Sequence, residues 1–369
     1  GGSAITHCKA KTGGAIEINS KGNFQQAVFG MLGGSIRDCE AEKGGGIYIG
    51  IGYAQMDDGS IEGCEAENGG GLYVNIGQLL MQSGKISGNR ATGEDSEDET
   101  LRYGGGGVYI KGGGSPQQQA SVVMNGSGKI AGNEAYNGGG VLLQGEYAAL
   151  LMMDKAMIGG TAPGDGNEAR CGGGVSVIYG NLQLFGGTVT GNTADMYGGG
   201  ILGCPYGLIK LQGAPKVYGN TAGDASDRFD NLYLDGNEDE GTDVTLPIML
   251  TGALTDGVRI GLSRWVRPDA GRHPYRDMIV SGGAYTMTKA DSDRLAQTLE
   301  EENKQLYADN MERYAFIPYE GKIVMILPVD VELDKETLVF AEPGGTDTLV
   351  AAVAPENALI KDVRWSSSD

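Results

Sequence analysis

The sequence predicts an all-β chain wound as a right-handed parallel β-helix of about seven to eight turns, closed by a C-terminal cap. Three observations predict it. The first is a glycine phrase, Gly69-Gly70-Gly71-Leu72-Tyr73-Val74, which returns at Gly44–Ile49, Gly105–Ile110, Gly138–Leu143, Gly172–Val177 and Gly198–Gly203, with a looser copy at Gly13–Ile18. The second is the step between copies, mostly 25 to 31 residues, the length of one solenoid turn. The third is composition: 66 of 369 residues are glycine but only 11 are proline, with no period of three, so collagen is excluded. With 40% of residues apolar and falling in register, disorder is excluded as well.

Alternation inside the phrase assigns its faces. Ile16, Ile47, Leu72, Val108, Val141, Val175 and Ile201 are aliphatic, and so are Ile18, Ile49, Val74, Ile110, Leu143 and Val177 two places on. The residue between them varies: Glu17, Tyr48, Tyr73, Tyr109, Leu142, Ser176, Leu202. Constant flanks around a variable centre mean core, surface, core. About eight residues later comes a methionine column, Met31, Met56, Met81, Met124 and Met153, continued by Leu184 and Leu211. An isoleucine column follows it, Ile36, Ile61, Ile86, Ile130, Ile158, Val189 and Val217. These columns predict about three short strands per turn, stacked ~4.8 Å apart, with the glycines at the bends.

A polar column lies three places beyond the isoleucines: Cys8, Cys39, Cys64, Asn89, Asn133, Asn192 and Asn220, with Asn167 joining after an insertion. Asparagines stacked in this way bond their amides to the turns above and below. Cysteine at the same place reads as a stacked buried thiol, with a Cys39–Cys64 disulfide or metal pair as the sharper alternative. Two insertions interrupt the period, Gly93 to Arg102 and Gly112 to Gln119. The first is acidic but lacks the spaced Asp/Asn-Gly pattern of a calcium loop, so it reads as a solvated charge run.

After Ala222 the repeat decays, and residues 223–327 read as the cap. Asn231-Leu232-Tyr233-Leu234 is a last, glycine-free copy of the phrase. A helix is expected over about 291–307, with Asp291 or Ser292 as N-cap and Leu295, Leu299 and Leu306 as its apolar stripe. A hairpin is expected around Glu320-Gly321.

Two resemblances add to this. The phrases GGG-[IV]-Y-[IV] and M-x-x-G-x-I-x-G-N-x-A make residues 1–288 resemble the glycine-rich parallel β-helix repeats of large bacterial surface proteins. The chlamydial polymorphic outer-membrane proteins are more distant in pattern. From Val329, the L-D-K-x-x-L opening, the Pro355-Glu356-Asn357-Ala358 turn and Val363-Arg364-Trp365-Ser366-Ser367-Ser368-Asp369 resemble the first half of a bacterial Ig-like domain of the Big family. Residues 329–369 are therefore expected to form a truncated Ig-like β-sandwich, in a fragment of a longer multidomain chain. Together the resemblances imply an extracellular, bacterial cell-surface location and an adhesin-like role.

The chemistry is sparse. Net charge is -20, which disfavours nucleic acid as a partner. No apolar run approaches the ~18 residues of a membrane span. His7 and His273 lack nucleophile partners or metal-ligand spacing, so no catalytic residue, metal site or cofactor is expected. Parallel β-helices also host pectate-lyase-like enzymes, so a polysaccharide lyase or glycoside hydrolase is the alternative. The candidate carboxylates for it are Asp57, Asp58, Asp154 and Asp165. Asp57 and Asp154 fall three turns apart, roughly 14 Å at ~4.8 Å per turn, beyond the ~9.5 Å limit of an acid/base pair. Asp165 and Arg170 share a corner and read as a salt bridge. The candidate binding residues are Tyr48, Tyr73 and Tyr109, an outward aromatic stripe that could stack on sugar rings of a glycan or host-surface ligand.

Overall fold

The structure is a computed structural model that describes residues 3–20, 27–94, 103–223, 230–236, 247–264, 275–303, 315–326, 330–334, 348 and 350–354. It is a parallel β-solenoid of about eight turns. Each full turn carries four strand positions rather than three, because the alanine two places after each cysteine or asparagine also lies in a ladder. Its pairings run Ala41↔Ala66↔Ala91 and Ala135↔Ala169↔Ala194↔Ala222. Those strands are only two to five residues long, too short to register as strands by alternation.

The other ladders follow the sequence columns closely. The glycine phrases pair as Ile16↔Ile47↔Leu72↔Val108↔Val141↔Val175↔Ile201. The isoleucine ladder runs Ile36↔Ile61↔Ile86↔Ile130↔Ile158↔Val189↔Val217. In the methionine ladder one member is corrected: Met152, not Met153, pairs with Met124 and Leu184. The bend after it holds an extra residue, and Asp154 there adopts φ 52°. Aspartate tolerates this left-handed backbone better than most residues, and its Oδ2 accepts the Gly126 N–H at 3.2 Å.

Inside the four ladders runs a single continuous core, in which Leu72, Val74, Met81, Ile86 and Ile110 are fully buried. The triple glycine is what lets the corner close upon it. Gly69 turns at φ 66°, and a Cβ there would lie 2.4 Å from the Leu72 carbonyl oxygen. At Gly71 a Cβ would meet the next rung's backbone at 2.7 Å and the Asn89 amide at 2.9 Å.

That amide belongs to a buried asparagine ladder. Asn89 Nδ2 donates to Asn133 Oδ1 at 3.0 Å, Asn133 to Asn167 at 2.9 Å, Asn167 to Asn192 at 2.8 Å, and Asn192 to Asn220 at 2.9 Å. Each amide also donates to an isoleucine- or valine-ladder carbonyl, as Asn167 does to Ile130 at 3.1 Å. The series ends on Asn231, in the last copy of the phrase. Cys64 joins from the other side, its backbone N–H donating to Asn89 Oδ1 at 2.9 Å.

Stacking persists past Ala222 even though the glycines do not. Leu232 pairs with Ile201 and Leu262, and Ile248 with Ile279, all in parallel. Antiparallel pairing then closes the stack: Ile279 opposes Ile323, and Ala315–Tyr319 forms the expected hairpin with Lys322–Ile326. Helix α1, Lys289–Asn303, buries Leu295 and Leu299. Its cap differs from expectation. Thr288 and Asp291 form a reciprocal capping box, the Thr288 N–H donating to Asp291 Oδ2 at 2.9 Å and the Asp291 N–H to Thr288 Oγ1 at 3.3 Å. Leu306 and most of the acidic insertion lie outside the described residues. So does the 363–369 segment that carries much of the Ig-like resemblance. From the 329–369 unit, Asp330–Leu333 pairs antiparallel with Ala351–Ala354.

The ladder's energetic weight is testable at Asn167, which is fully buried. Asn167→Ala strands the Asn133 and Asn192 amides, and each unsatisfied buried group costs ~1–3 kcal/mol. Urea unfolding is expected to show a loss on the order of 3 kcal/mol. The exposed Thr193→Ala should stay within about 0.5 kcal/mol of the parent.

Candidate functional site

The tyrosine stripe exists, but not as a surface. Tyr48 and Tyr73 stack with centroids 5.4 Å apart, and Tyr73 and Tyr109 at 4.7 Å with planes 6° apart. Tyr73 is only 2% exposed and Tyr109 5%, while Tyr48 is half-buried. The expectation that these rings face solvent is therefore corrected. The phrase is entered through a left-handed glycine, which lies close against the outward residue. A Cβ on Gly69 would lie 3.1 Å from the Tyr73 Cβ. Lys43, on the strand just before the corner, reaches over the Tyr73 ring at 5.9 Å. With Leu142 the tyrosines make a second small core.

Exposed aromatic stacking occurs instead at the next corner. Tyr179 and Tyr206 are 40% and 57% exposed, with centroids 5.4 Å apart and planes 6° apart. This is an offset stack, which leaves part of each ring open. The two are paired rung to rung, although Gly203 to Tyr206 spans one residue more than Val177 to Tyr179. Tyr147 holds the same place one turn earlier: it precedes Ala149 by two residues, as Tyr179 precedes Asn181, and Ala149 pairs with Asn181. The extra residue at Cys204-Pro205 hides this column from fixed spacing. A detectable signal remains in the small residue after each ring, in Tyr147-Ala148, Tyr179-Gly180 and Tyr206-Gly207.

A second feature lies on the alanine-ladder face, a groove of about 340 Å³ lined by Arg90, Glu94, Glu134, Tyr136, Glu168, Arg170 and Asp195 among others. Glu134 and Glu168 are rung neighbours. Arg90 Nε lies 3.5 Å from Glu134 Oε1, and the Arg170 guanidinium sits 5.1 Å over the Tyr136 ring. Carboxylates and guanidinium groups thus converge here; of these residues only Arg170 was singled out by the sequence, and with a different partner.

The candidate aspartates are dispersed. Asp57 Oδ1 accepts the Gln55 amide at 2.8 Å, and Asp154 Oδ2 accepts the Gly126 N–H from the preceding rung's bend. Asp165 pairs with Lys129 at 2.7 Å rather than with Arg170. That lysine hydrogen bond holds the Asp165 carboxyl below the usual range despite its partial burial.

No disulfide joins any of the five cysteines, and Cys39 and Cys64 are buried. Among the described residues, no cluster of three or more His, Cys, Asp or Glu side chains could hold a metal. No described helix is long and apolar enough to cross a membrane. No family model, curated protein or solved structure matches this chain.

The buried ladders make stability depend on alkaline pH. Burial pushes the Cys64 thiol up to about 12, and raises the Tyr73 and Tyr109 phenols well above their ordinary value. An unfolded thiol ionises near ~8.5 and an unfolded phenol near ~10. Unfolding therefore releases protons above those values, so the contribution is complete below about pH 8.5 and falls away as pH rises towards 12. Urea midpoints are expected to hold from pH 7 to 8 and decline from pH 9 to 11, with a shallower early decline in Cys64→Ala. A flat profile would contradict the burial of these groups.

Proposed function

We propose that this chain is an extracellular, bacterial cell-surface binding protein, adhesin-like, whose solenoid presents a glycan site at the Tyr179–Tyr206 pair. The observation that carries this reading is the pair itself, two parallel, substantially exposed rings on adjacent rungs. The stacked rings leave their outer edges and hydroxyls in solvent, where they can hydrogen-bond sugar hydroxyls and pack against sugar C–H groups. The rung register fixes the spacing of the rings before any ligand arrives, which limits the ordering cost of binding. The surface location rests on the resemblance of the glycine phrases to bacterial surface repeats, and on that of residues 329–369 to an Ig-like spacer.

The Arg90–Glu168 groove favours a second reading, a polysaccharide lyase or glycoside hydrolase, because neighbouring carboxylates and basic groups meet there. The two readings separate in one set of incubations. Affinity electrophoresis through a panel of polysaccharides should retard the wild type. Tyr206→Ala should weaken retardation about ten-fold, equivalent to ~1.4 kcal/mol, while Glu168→Gln binds as the parent and no new sugar ends appear. Reducing or unsaturated ends that vanish in Glu168→Gln would replace the binding reading with the enzymatic one.

A further inference from the structure

An exposed face with almost no charge is unexpected on a chain of net charge -20. Two other faces are charged: the alanine-ladder face stacks Glu65, Arg90, Glu134 and Glu168, and the isoleucine-ladder face stacks Lys85 and Lys129. The outer face of the methionine-ladder sheet differs. Its central outward column runs Gly30, Gln55, Leu80, Val123, Leu151, Gln183 and Lys210 over successive rungs. From the rung of Leu80 to that of Gln183, the outward positions on either side hold only Ser, Ala, Asn, Gln, Met and Phe. Leu80, Val123 and Leu151 are partly exposed and belong to neither buried core.

The geometry points to a second copy of this chain as the partner of this face, docked about a two-fold axis through Val123 with the two solenoid axes antiparallel. The centre of the column reads the same from either end: Gln, Leu, Val, Leu, Gln. A two-fold that reverses the solenoid axis sets each rung against the rung equally far beyond Val123. Val123 then meets its own copy, Leu80 meets Leu151, and Gln55 meets Gln183. Apolar groups face apolar groups, and amides face amides, which both donate and accept. At the outer rung Val28, which is 69% exposed, lies opposite Leu208.

Charge selects this orientation. Two chains of this net charge repel wherever their acidic surfaces meet, and this face largely avoids that contact. The charges on its strands lie towards the ends, Asp57 and Asp58 near Gln55 and Lys210 on the last rung. Antiparallel docking puts Lys210 over Gly30, one rung from Asp57 of the second copy. A Cβ at Gly30 would meet nothing within 4 Å, so the lysine has room there. Parallel docking would set Lys210 against Lys210. Lys111, Glu146, Asp154 and Lys155 sit at the corners beside the face, where an interface keeps its polar rim.

The area sets the strength. Rungs ~4.8 Å apart and strands rising ~3.3 Å per residue give roughly 550 Å² of flat face per copy. A total of about 1,100 Å² is at the small end of specific interfaces, so the dimer is weak and reversible.

Sedimentation equilibrium of the whole chain, from about 5 to about 300 μM, tests this. A monomer–dimer equilibrium half-complete near ~100 μM is expected. Val123→Lys, which brings two ammonium groups together on the axis, should weaken it about ten-fold and leave the thermal unfolding midpoint unchanged. Lys210→Ala should weaken it about three-fold, and strengthening there would overturn the antiparallel docking. A chain monomeric throughout the range would overturn the proposal, and so would a dimer that Val123→Lys leaves intact. Flotation of the monomer with neutral phosphatidylcholine vesicles, lost in Val123→Lys, would assign the face to a lipid surface and overturn it equally.

Discussion

In-register stacking of identical positions on successive turns is the constraint on which everything else in this molecule depends. Each strand is short and could not hold its place alone. Its partner above and below must present the same kind of side chain at the same position, or a polar group is stranded inside. The asparagine ladder enforces this most strictly. Asn89, Asn133, Asn167, Asn192 and Asn220 each accept and donate along the axis and also tie to a core carbonyl, so a slip of one residue would break several bonds at once. The third glycine of the phrases at Gly71, Gly107, Gly140, Gly174 and Gly200 leaves room for that amide, as the 2.9 Å approach at Gly71 indicates.

The same constraint explains what was legible in the sequence. Inward positions repeat because they stack, and the columns of Leu72, Ile86 and Asn133 were read correctly from spacing alone. Corners do not repeat as strictly. An extra residue near Asp154 moved the ladder member from Met153 to Met152, and another at Cys204-Pro205 concealed the pairing of Tyr179 with Tyr206. The alanine-ladder strands were missed for a different reason: they are too brief for alternation to declare them.

Tyr73 carries the clearest lesson about the candidate site. Period-two alternation places a side chain on the outer face of a strand, but it says nothing of what the chain does next to that strand. Here the tyrosines stack on one another and pack with Leu142 and Ile178, and they become a buried stack. Outward is not the same as exposed. The Tyr179–Tyr206 pair at the following corner stays substantially exposed. The distinction lies in what packs beside each ring, which the identity of the outward residue does not report.

A solenoid of this kind offers a partner a fixed row of side chains, and its exposed, stacked aromatic pair is Tyr179 and Tyr206. The most direct measurement is an NMR titration of ring-labelled tyrosine protein with a soluble polysaccharide, resonances being assigned by single Tyr→Phe variants. Ring signals of Tyr179 and Tyr206 should shift in saturable fashion while those of Tyr73 and Tyr109 stay in place. Shifts confined to the Tyr48–Tyr109 stack, or to Tyr136 in the groove, would contradict the account.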